Sequence, residues 1–171
     1  MNDENNAHAA WEKRLEVLWA AIDDHSESEF IALMDALAAE LPPGSAIGFF
    51  ERAGARDSTG HPDLAVPLYE AALQAGLSAE RRRRAIVQLA SSRRNLGDPQ
   101  AAVALLAAEL DAGSDALDGA VRGFLALALV DAGREREAVS VALTALSAYL
   151  PRYNRSLARY AQDLIAESPT F

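Results

Sequence analysis

The chain has 171 residues, a length that suits one hydrophobic core or a short array of repeated units. Half of its residues are apolar, and no run of alternating β-branched residues predicts a strand, so the composition favours packed helices. The net charge of −9 at pH 7 argues against general nucleic-acid binding, because phosphate contacts need a basic face, and the lack of cysteine excludes disulfide and thiolate chemistry.

Apolar segments long enough to cross a membrane are missing from the sequence. An apolar run such as residues 124–130 covers far fewer residues than a bilayer requires. The start, MNDENNAHAAWEKR, has no apolar segment after a basic one and so does not resemble a secretion signal. We therefore expect no membrane partner and a cytoplasmic location.

Residues 1–44 predict a helical hairpin, interpreted as a degenerate repeat within the same domain. Apolar residues at helical spacing form the first helix, and they are Trp11, Leu15, Leu18, Trp19 and Ile22. Ser26 and Glu29 form a capping-box pattern that opens the second helix, which residues 42–44 stop. The hairpin is expected to cover one end of the array, and the alternative is a dimerisation surface built on Trp11 and Trp19.

Residues 45–150 contain three repeated units. Gly60, Gly97 and Gly133 follow one another at intervals of 37 and 36 residues. Each is flanked by alanine seven residues before and five residues after, then by valine at six and leucine at thirteen residues after. These positions are Ala53, Ala90 and Ala126; Ala65, Ala102 and Ala138; Val66, Val103 and Val139; and Leu73, Leu110 and Leu146. We expect the glycine to end one helix, the alanines to let two antiparallel helices approach closely, and Val and Leu to fill the space between neighbouring pairs.

Two further glycines suggest where the second helix of a pair ends. Gly76 and Gly113 lie sixteen residues after Gly60 and Gly97, where a left-handed C-cap is expected. Ser78 and Ser114 then become predicted N-caps of the helices that follow.

Residues 151–171 predict a C-terminal capping helix and tail. Tyr153, Leu157, Tyr160 and Leu164 recur at helical spacing and form one face. A second face carries three arginines, and they are Arg152, Arg155 and Arg159. This arginine face is interpreted either as a solvated cap or as an anion-binding surface.

The repeated pattern resembles the tetratricopeptide repeat family. The segments FFERAGARDSTGHPDLAVPLYEAAL, LASSRRNLGDPQAAVALLAAEL and FLALALVDAGREREAVSVALTAL carry the glycine turn and the small residues typical of it. The chain is also similar to a small bacterial group of single-domain tetratricopeptide proteins of unknown function. The resemblance implies an all-α fold, a right-handed α-solenoid of three helix pairs between the hairpin and the capping helix.

Catalytic and metal-binding patterns are not found in the sequence. His8, His25 and His61 are isolated, and no GxSxG, P-loop or HExxH motif occurs. The carboxylates at Glu109 and Asp111 are interpreted as helix-end residues without an evident partner. We therefore expect no enzyme activity, no cofactor and no metal.

Arginine is concentrated in the middle repeat. Four arginines occupy residues 81–84, and Arg93 and Arg94 lie near the end of the same predicted helix. Spacings of four, three and four residues align a polar face, which consists of Arg84, Gln88, Ser91 and Asn95. The arginine run also fits a solvated face paired with nearby carboxylates. Arg93 and the equivalent Arg56 are expected to point toward the core and either snorkel outward or pair with Glu70 and Glu109.

The resemblance to tetratricopeptide repeats implies a function for this polar face. First helices of such repeats line a concave groove, where related proteins hold acidic or C-terminal peptide groups with Lys, Arg and Asn. Carried over, the groove residues are Arg84, Gln88, Ser91, Arg94 and Asn95, with Phe50 and Asp57 from the repeat before and Phe124, Leu127 and Asp131 from the repeat after. The predicted function is a non-catalytic protein- or peptide-binding module, and the alternative is a self-association module, so both a monomer and a homodimer are considered. The sequence does not name the partner.

Overall fold

The computed structural model describes residues 2–166, with side chains from residue 6 onward. The helices are α1 (Asn2–Ala20), α2 (Glu27–Ala38), α3 (Ala46–Ser58), α4 (Pro62–Ala75), α5 (Ala79–Asn95), α6 (Pro99–Ala112), α7 (Asp118–Asp131), α8 (Glu135–Ser147) and α9 (Asn154–Asp163), with a 3-10 turn at Ile22–Asp24. Within this described range there is no strand, so the all-α prediction is confirmed. Met1, in the predicted hairpin, and residues 167–171, in the predicted cap and tail, lie outside the described residues.

The chain divides into two compact units, Met1–Ser78 and Ala79–Phe171. In the first unit the N-terminal hairpin shares a core with α3, formed by Trp11, Leu15, Phe30, Met34, Leu37 and Ala55. The Trp11 indole N–H donates a hydrogen bond to the Leu37 carbonyl at 2.9 Å, which fixes α1 against α2. The predicted capping box is present, since the Ser26 backbone N–H donates to the Glu29 carboxylate at 3.0 Å.

Each predicted helix pair is joined at its glycine. The φ values of Gly60, Gly97 and Gly133 are 85°, 86° and 73°, which is a left-handed backbone conformation. This conformation is unfavourable for any residue that has a Cβ atom. The three glycines separate α3 from α4, α5 from α6 and α7 from α8. The glycine spacing therefore predicted the three helix pairs correctly.

Buried alanines lie where the helices of each pair meet. Ala53, Ala90, Ala65 and Ala102 have no exposed surface, and Ala126 and Ala138 are buried as well. The valines and leucines follow the prediction less uniformly, because Val103 is buried while Val139 and Leu146 are about half exposed, at 48% and 49%. Both exposed side chains lie on α8, which belongs to the last helix pair and is followed by α9 instead of another pair.

The connection between α6 and α7 differs from the prediction. Gly76 has the expected left-handed conformation at the end of α4, but Gly113 has φ 162° and ψ 177°, which is extended backbone. The Ser114 hydroxyl donates to the Asp118 carboxylate at 2.8 Å, and α7 begins only at Asp118. The predicted left-handed cap at Gly113 and N-cap at Ser114 are therefore wrong, because an acidic loop replaces the tight turn.

The buried alanines predict a size limit at the helix contacts. Ala90→Leu should lower the free energy of unfolding by about 1–3 kcal/mol, because the added side chain must displace α5 from α6. Ala104→Leu, at an exposed position of α6, is the matched control and should change stability by less than about 0.5 kcal/mol. Urea unfolding measures both variants, and equal stability of Ala90→Leu and the parent would contradict the close contact.

Candidate functional site

The predicted groove residues of the second unit lie on two helices that contact each other. Arg84, Gln88, Ser91, Arg94 and Asn95 are on α5, and Phe124, Leu127 and Asp131 are on α7. A cavity of about 250 Å³ opens between these helices and is lined by Arg84, Val87, Gln88, Leu117, Ala120 and Phe124. Three of the predicted residues, Arg84, Gln88 and Phe124, thus surround one cavity, which is called the α5–α7 cavity below.

The α5–α7 cavity combines an apolar wall with two polar groups. Val87, Leu117, Ala120 and Phe124 supply the apolar surface, and Arg84 is exposed beside them. The Oε1 atom of Gln88 is buried and accepts no hydrogen bond from the described residues. A buried acceptor left without a donor costs about 1–3 kcal/mol, so a ligand that offered an N–H here would gain the hydrogen bond that the chain leaves unmade.

Arg94 and Asp131 form an ion pair with each other. The Arg94 Nε donates to the Asp131 carboxylate at 2.5 Å and joins α5 to α7 beyond the cavity. Of the other predicted positions, Ser91 is half-buried, and Asn95 and Leu127 are exposed. The α5–α7 cavity lies at the end of the predicted groove near Arg84.

Phe50 and Asp57 belong to α3, in the first unit. Phe50 is only 2% exposed, and its ring centroid lies 6.2 Å from that of Tyr69. Asp57 is half-buried and accepts a hydrogen bond from the Tyr69 hydroxyl at 3.4 Å. The prediction that Phe50 contacts a ligand is wrong, because its side chain is part of the packing between α3 and α4.

The four consecutive arginines have different environments. Arg83 is only 4% exposed and lies between three carboxylates, at 3.8 Å from Glu109, 3.3 Å from Asp115 and 2.6 Å from Asp118. Arg82 lies 3.0 Å from Glu109, which is itself only 4% exposed. The interpretation of Glu109 as a residue without a partner was wrong. The run of acidic residues about thirty positions after the arginines was the sequence feature that could have indicated this buried network.

The network keeps Asp118 ionised. The Ser114 hydroxyl, the Asp115 backbone N–H and the Arg122 guanidinium together lower the pKa of Asp118 from its ordinary 3.8 to about 2, against the opposing effect of burial. Because Asp118 is also the first residue of α7, its negative charge lies at the positive end of the helix dipole. Arg83 and Asp118 thereby join α5 to the start of α7 and hold one end of the α5–α7 cavity.

Arg56 and Arg93, the two arginines predicted to point inward, both lie close to a carboxylate. Arg56 lies 2.9 Å from Asp35 on α2, and Arg52 lies 2.8 Å from the same carboxylate. Burial raises the pKa of Asp35, but the hydrogen bonds from Arg56 and Arg52 outweigh it and hold that pKa below its ordinary value. Arg93 lies 3.7 Å from Asp98 in the following turn. Pairing with a carboxylate was predicted correctly for both arginines. For Arg56 the predicted partner was wrong, because Asp35 of α2 binds it and Glu109 binds Arg82 and Arg83 instead.

Neither tryptophan is an exposed anchor. Trp11 is buried in the hairpin core. Trp19 is half-buried, donates a hydrogen bond to the Glu51 carboxylate at 2.8 Å and packs over Gly54, where an added Cβ would meet its ring at 3.2 Å. The dimerisation surface built on Trp11 and Trp19 is therefore contradicted, because both rings are used within the first unit.

The formal charge is distributed unevenly along the chain. The first unit contains 14 acidic and 4 basic side chains, whereas the second contains 11 acidic side chains and 12 arginines. The first unit thus has a net charge of −10 and the second a net charge of +1. The overall charge of −9 describes the first unit and conceals a mildly basic second one.

A family model described as tetratrico peptide repeat matches residues 46–164, about two thirds of the chain. The chain belongs to the tetratricopeptide repeat family. The match begins at the first residue of α3 and includes the three helix pairs and α9. No curated protein and no solved structure matched the chain.

Within residues 2–166 no group of three or more His, Asp or Glu side chains could hold a metal ion. The same part of the chain has no helix that is both long and apolar enough to cross a membrane.

The lowered pKa of Asp118 predicts an acid dependence of stability. A carboxyl group with a lowered folded-state pKa stabilises the fold fully above its unfolded pKa, and this contribution is lost as the pH falls toward the folded pKa. Asp118→Asn should therefore be less stable than the parent at pH 6, and the difference should shrink between pH 3.8 and about 2.

Urea unfolding across this pH range measures the effect. Asp111→Asn removes the same charge at an exposed position of α6 and is the control. A difference between parent and Asp118→Asn that does not change with pH would contradict the role of the ionised carboxylate.

Proposed function

We propose that this tetratricopeptide repeat protein is a non-catalytic binding module that takes a protein segment or peptide at the α5–α7 cavity. Tetratricopeptide repeats generally mediate protein–protein interactions. The single observation that supports this site is the coincidence of an apolar cavity with the buried, unsatisfied Oε1 of Gln88. A cytoplasmic location remains part of the proposal.

The lining of the cavity suggests what the bound segment contains. A cavity of about 250 Å³ walled by Val87, Leu117 and Phe124 suits one apolar side chain. Gln88 Oε1 would accept a hydrogen bond from the peptide backbone, and Arg84 would bind an acidic side chain or a C-terminal carboxylate through its planar guanidinium. Recognition then needs an apolar residue next to a carboxylate.

The ion pair between Arg94 and Asp131 changes the role first predicted for these two residues. Because the Arg94 guanidinium already binds Asp131, part of its positive charge is neutralised before a ligand arrives. We propose that Arg94 and Asp131 position α5 against α7 and that Arg84 contacts the ligand. Ser91, Asn95 and Leu127 remain candidates for a longer segment that extends past the cavity.

A random library of peptides with free C-termini would be screened against the immobilised protein. The selected peptides are then the ligands for the test. Arg84→Glu should weaken binding of the selected peptides by about tenfold or more, because it places a negative charge where the ligand carboxylate lies. Ala120→Phe should weaken binding similarly by filling the cavity. Fluorescence anisotropy measures both effects.

Arg134→Glu is the matched control, because it makes the same charge change at an exposed position of the same unit, at the start of α8. It should leave binding unchanged. Equal weakening by Arg84→Glu and Arg134→Glu would indicate diffuse electrostatics, and unchanged binding by both Arg84→Glu and Ala120→Phe would exclude the cavity as the site.

A further inference from the structure

Three arginines near the C-terminus differ from the other arginines of the second unit. Several arginines of this unit lie at most 3.7 Å from a carboxylate oxygen, and they are Arg82, Arg83, Arg93, Arg94, Arg122 and Arg134. Arg152, Arg155 and Arg159 form no ion pair with any carboxylate of residues 6–166, and all three are exposed. Their charges are therefore available to a partner.

Exposed tyrosines accompany these arginines. Tyr149, Tyr153 and Tyr160 are 72%, 78% and 57% exposed, and the Arg159 guanidinium lies 5.1 Å from the centre of the Tyr160 ring. Tyrosine and arginine are the residue types enriched at the energetic centres of protein interfaces. Such a combination is more than a solvated cap requires, since a cap needs only polar side chains.

The backbone at Tyr153 is strained. Among residues 2–166 it is the one residue other than glycine with a positive φ, at 65°. Its side chain is 78% exposed, so little packing offsets this strain. Strained residues of this kind concentrate at functional sites, so the position is an independent indication that the ring serves a partner.

Helix α9 presents Arg155, Arg159 and Tyr160 from a fixed position, and Arg152 and Tyr153 directly precede it. Its inner face packs on α8, with Ala161 fully buried and Leu157 and Leu164 half-buried. Arg136 of α8 donates hydrogen bonds to the Leu164 carbonyl at 2.9 and 3.1 Å and so holds the C-terminal end of α9. Two of the three arginines therefore project from a helix that is already anchored.

We propose that Arg152, Tyr153, Arg155, Arg159 and Tyr160, together called the α9 surface, dock an acidic, extended polypeptide segment of another protein. Arg155 and Arg159 are four residues apart, about 6 Å along a helix. Alternate residues of an extended chain lie about 6.6 Å apart, so carboxylates at every second position match this spacing. The tyrosine rings cover the apolar side chains between them.

Two other occupants fit the charges less well. A nucleic acid carries a continuous row of phosphates, and the three arginines offer few contacts on a chain of net charge −9. A second copy of this chain brings a net charge of −9 against an equal charge, which opposes association at long range. A short acidic segment meets only the local field, because charges are screened beyond about 8 Å at physiological salt.

The test uses a fluorescein-labelled peptide of about twelve residues with glutamate at alternate positions and one central phenylalanine. Fluorescence anisotropy at about 50 mM salt should detect binding to the full chain, and about 0.5 M salt should abolish it. The triple variant Arg152→Gln, Arg155→Gln, Arg159→Gln should bind about tenfold more weakly. A peptide with glutamine in place of every glutamate should not bind.

A matched triple variant, Lys13→Gln, Arg14→Gln, Arg134→Gln, removes the same charge from other exposed positions and should bind the glutamate peptide like the parent. Arg84→Glu should also bind it normally, which separates this surface from the α5–α7 cavity. Tyr153→Gly should raise the melting temperature by relieving the positive φ and still weaken binding about threefold.

Several results would overturn the proposal. The first is that the glutamate peptide does not bind at low salt. The second is that the two triple variants weaken peptide binding equally. Loss of binding in Arg84→Glu alone would assign the peptide to the cavity instead. Tighter binding of an oligothymidylate of the same length would make the surface a nucleic-acid site, and a dimer in sedimentation that the α9 triple variant abolishes would make its occupant a second copy.

Discussion

The close contact between antiparallel helices at alanine is the constraint on which the rest of this structure depends. Ala90 and Ala102 are fully buried between α5 and α6, and the equivalent alanines are buried in the other two pairs. Small side chains let the helix backbones approach, so that larger neighbours such as Leu106 and Leu129 can fill the core at normal packing density. The direction of every outward side chain on α5 and α7, including Arg84 and Phe124, follows from this packing.

A buried ionic network gives the second unit its particular surface. Arg83 of α5 binds Glu109 of α6 and Asp118 at the start of α7, so three helices meet at one guanidinium. Buried charges are costly to remove from water and tolerate few geometries, so such a network fixes position more than it adds stability. It thereby sets the distance between α5 and α7 at which the α5–α7 cavity exists.

The two units differ in net charge, and their arginines have different roles. The acidic first unit uses Arg52 and Arg56 within itself, both on the carboxylate of Asp35. In the second unit most arginines that contact carboxylates lie between helices or at helix ends, whereas Arg152, Arg155 and Arg159 contact none among the described residues. Position relative to nearby carboxylates thus decides whether an arginine stabilises this fold or is available for binding.

The helix pairs could be predicted from the sequence because their determinants are local. Gly60, Gly97 and Gly133 adopt a backbone conformation that other residues avoid, so their spacing alone predicted where each pair turns. The capping box at Ser26 and Glu29 was equally readable, since both of its hydrogen bonds lie within one helical turn. Of the site, the α5 face with Arg84 and Gln88 followed from helical spacing.

Only the tertiary structure decided which chemically identical residues are buried and which are exposed. Arg83 and Arg84 are neighbours in the sequence, but successive residues of a helix point about 100° apart, so one meets the carboxylates of α6 and α7 and the other is exposed beside a cavity. Phe50 and Phe124 likewise differ because Tyr69 covers the first, while the second faces the gap between α5 and α7.

The sequence by itself determined the repeating helix pairs, because backbone conformation and small-residue contacts are set within a few residues. The assignment of arginines and phenylalanines to core or surface depended on helices far apart in the chain, and no local pattern records that packing.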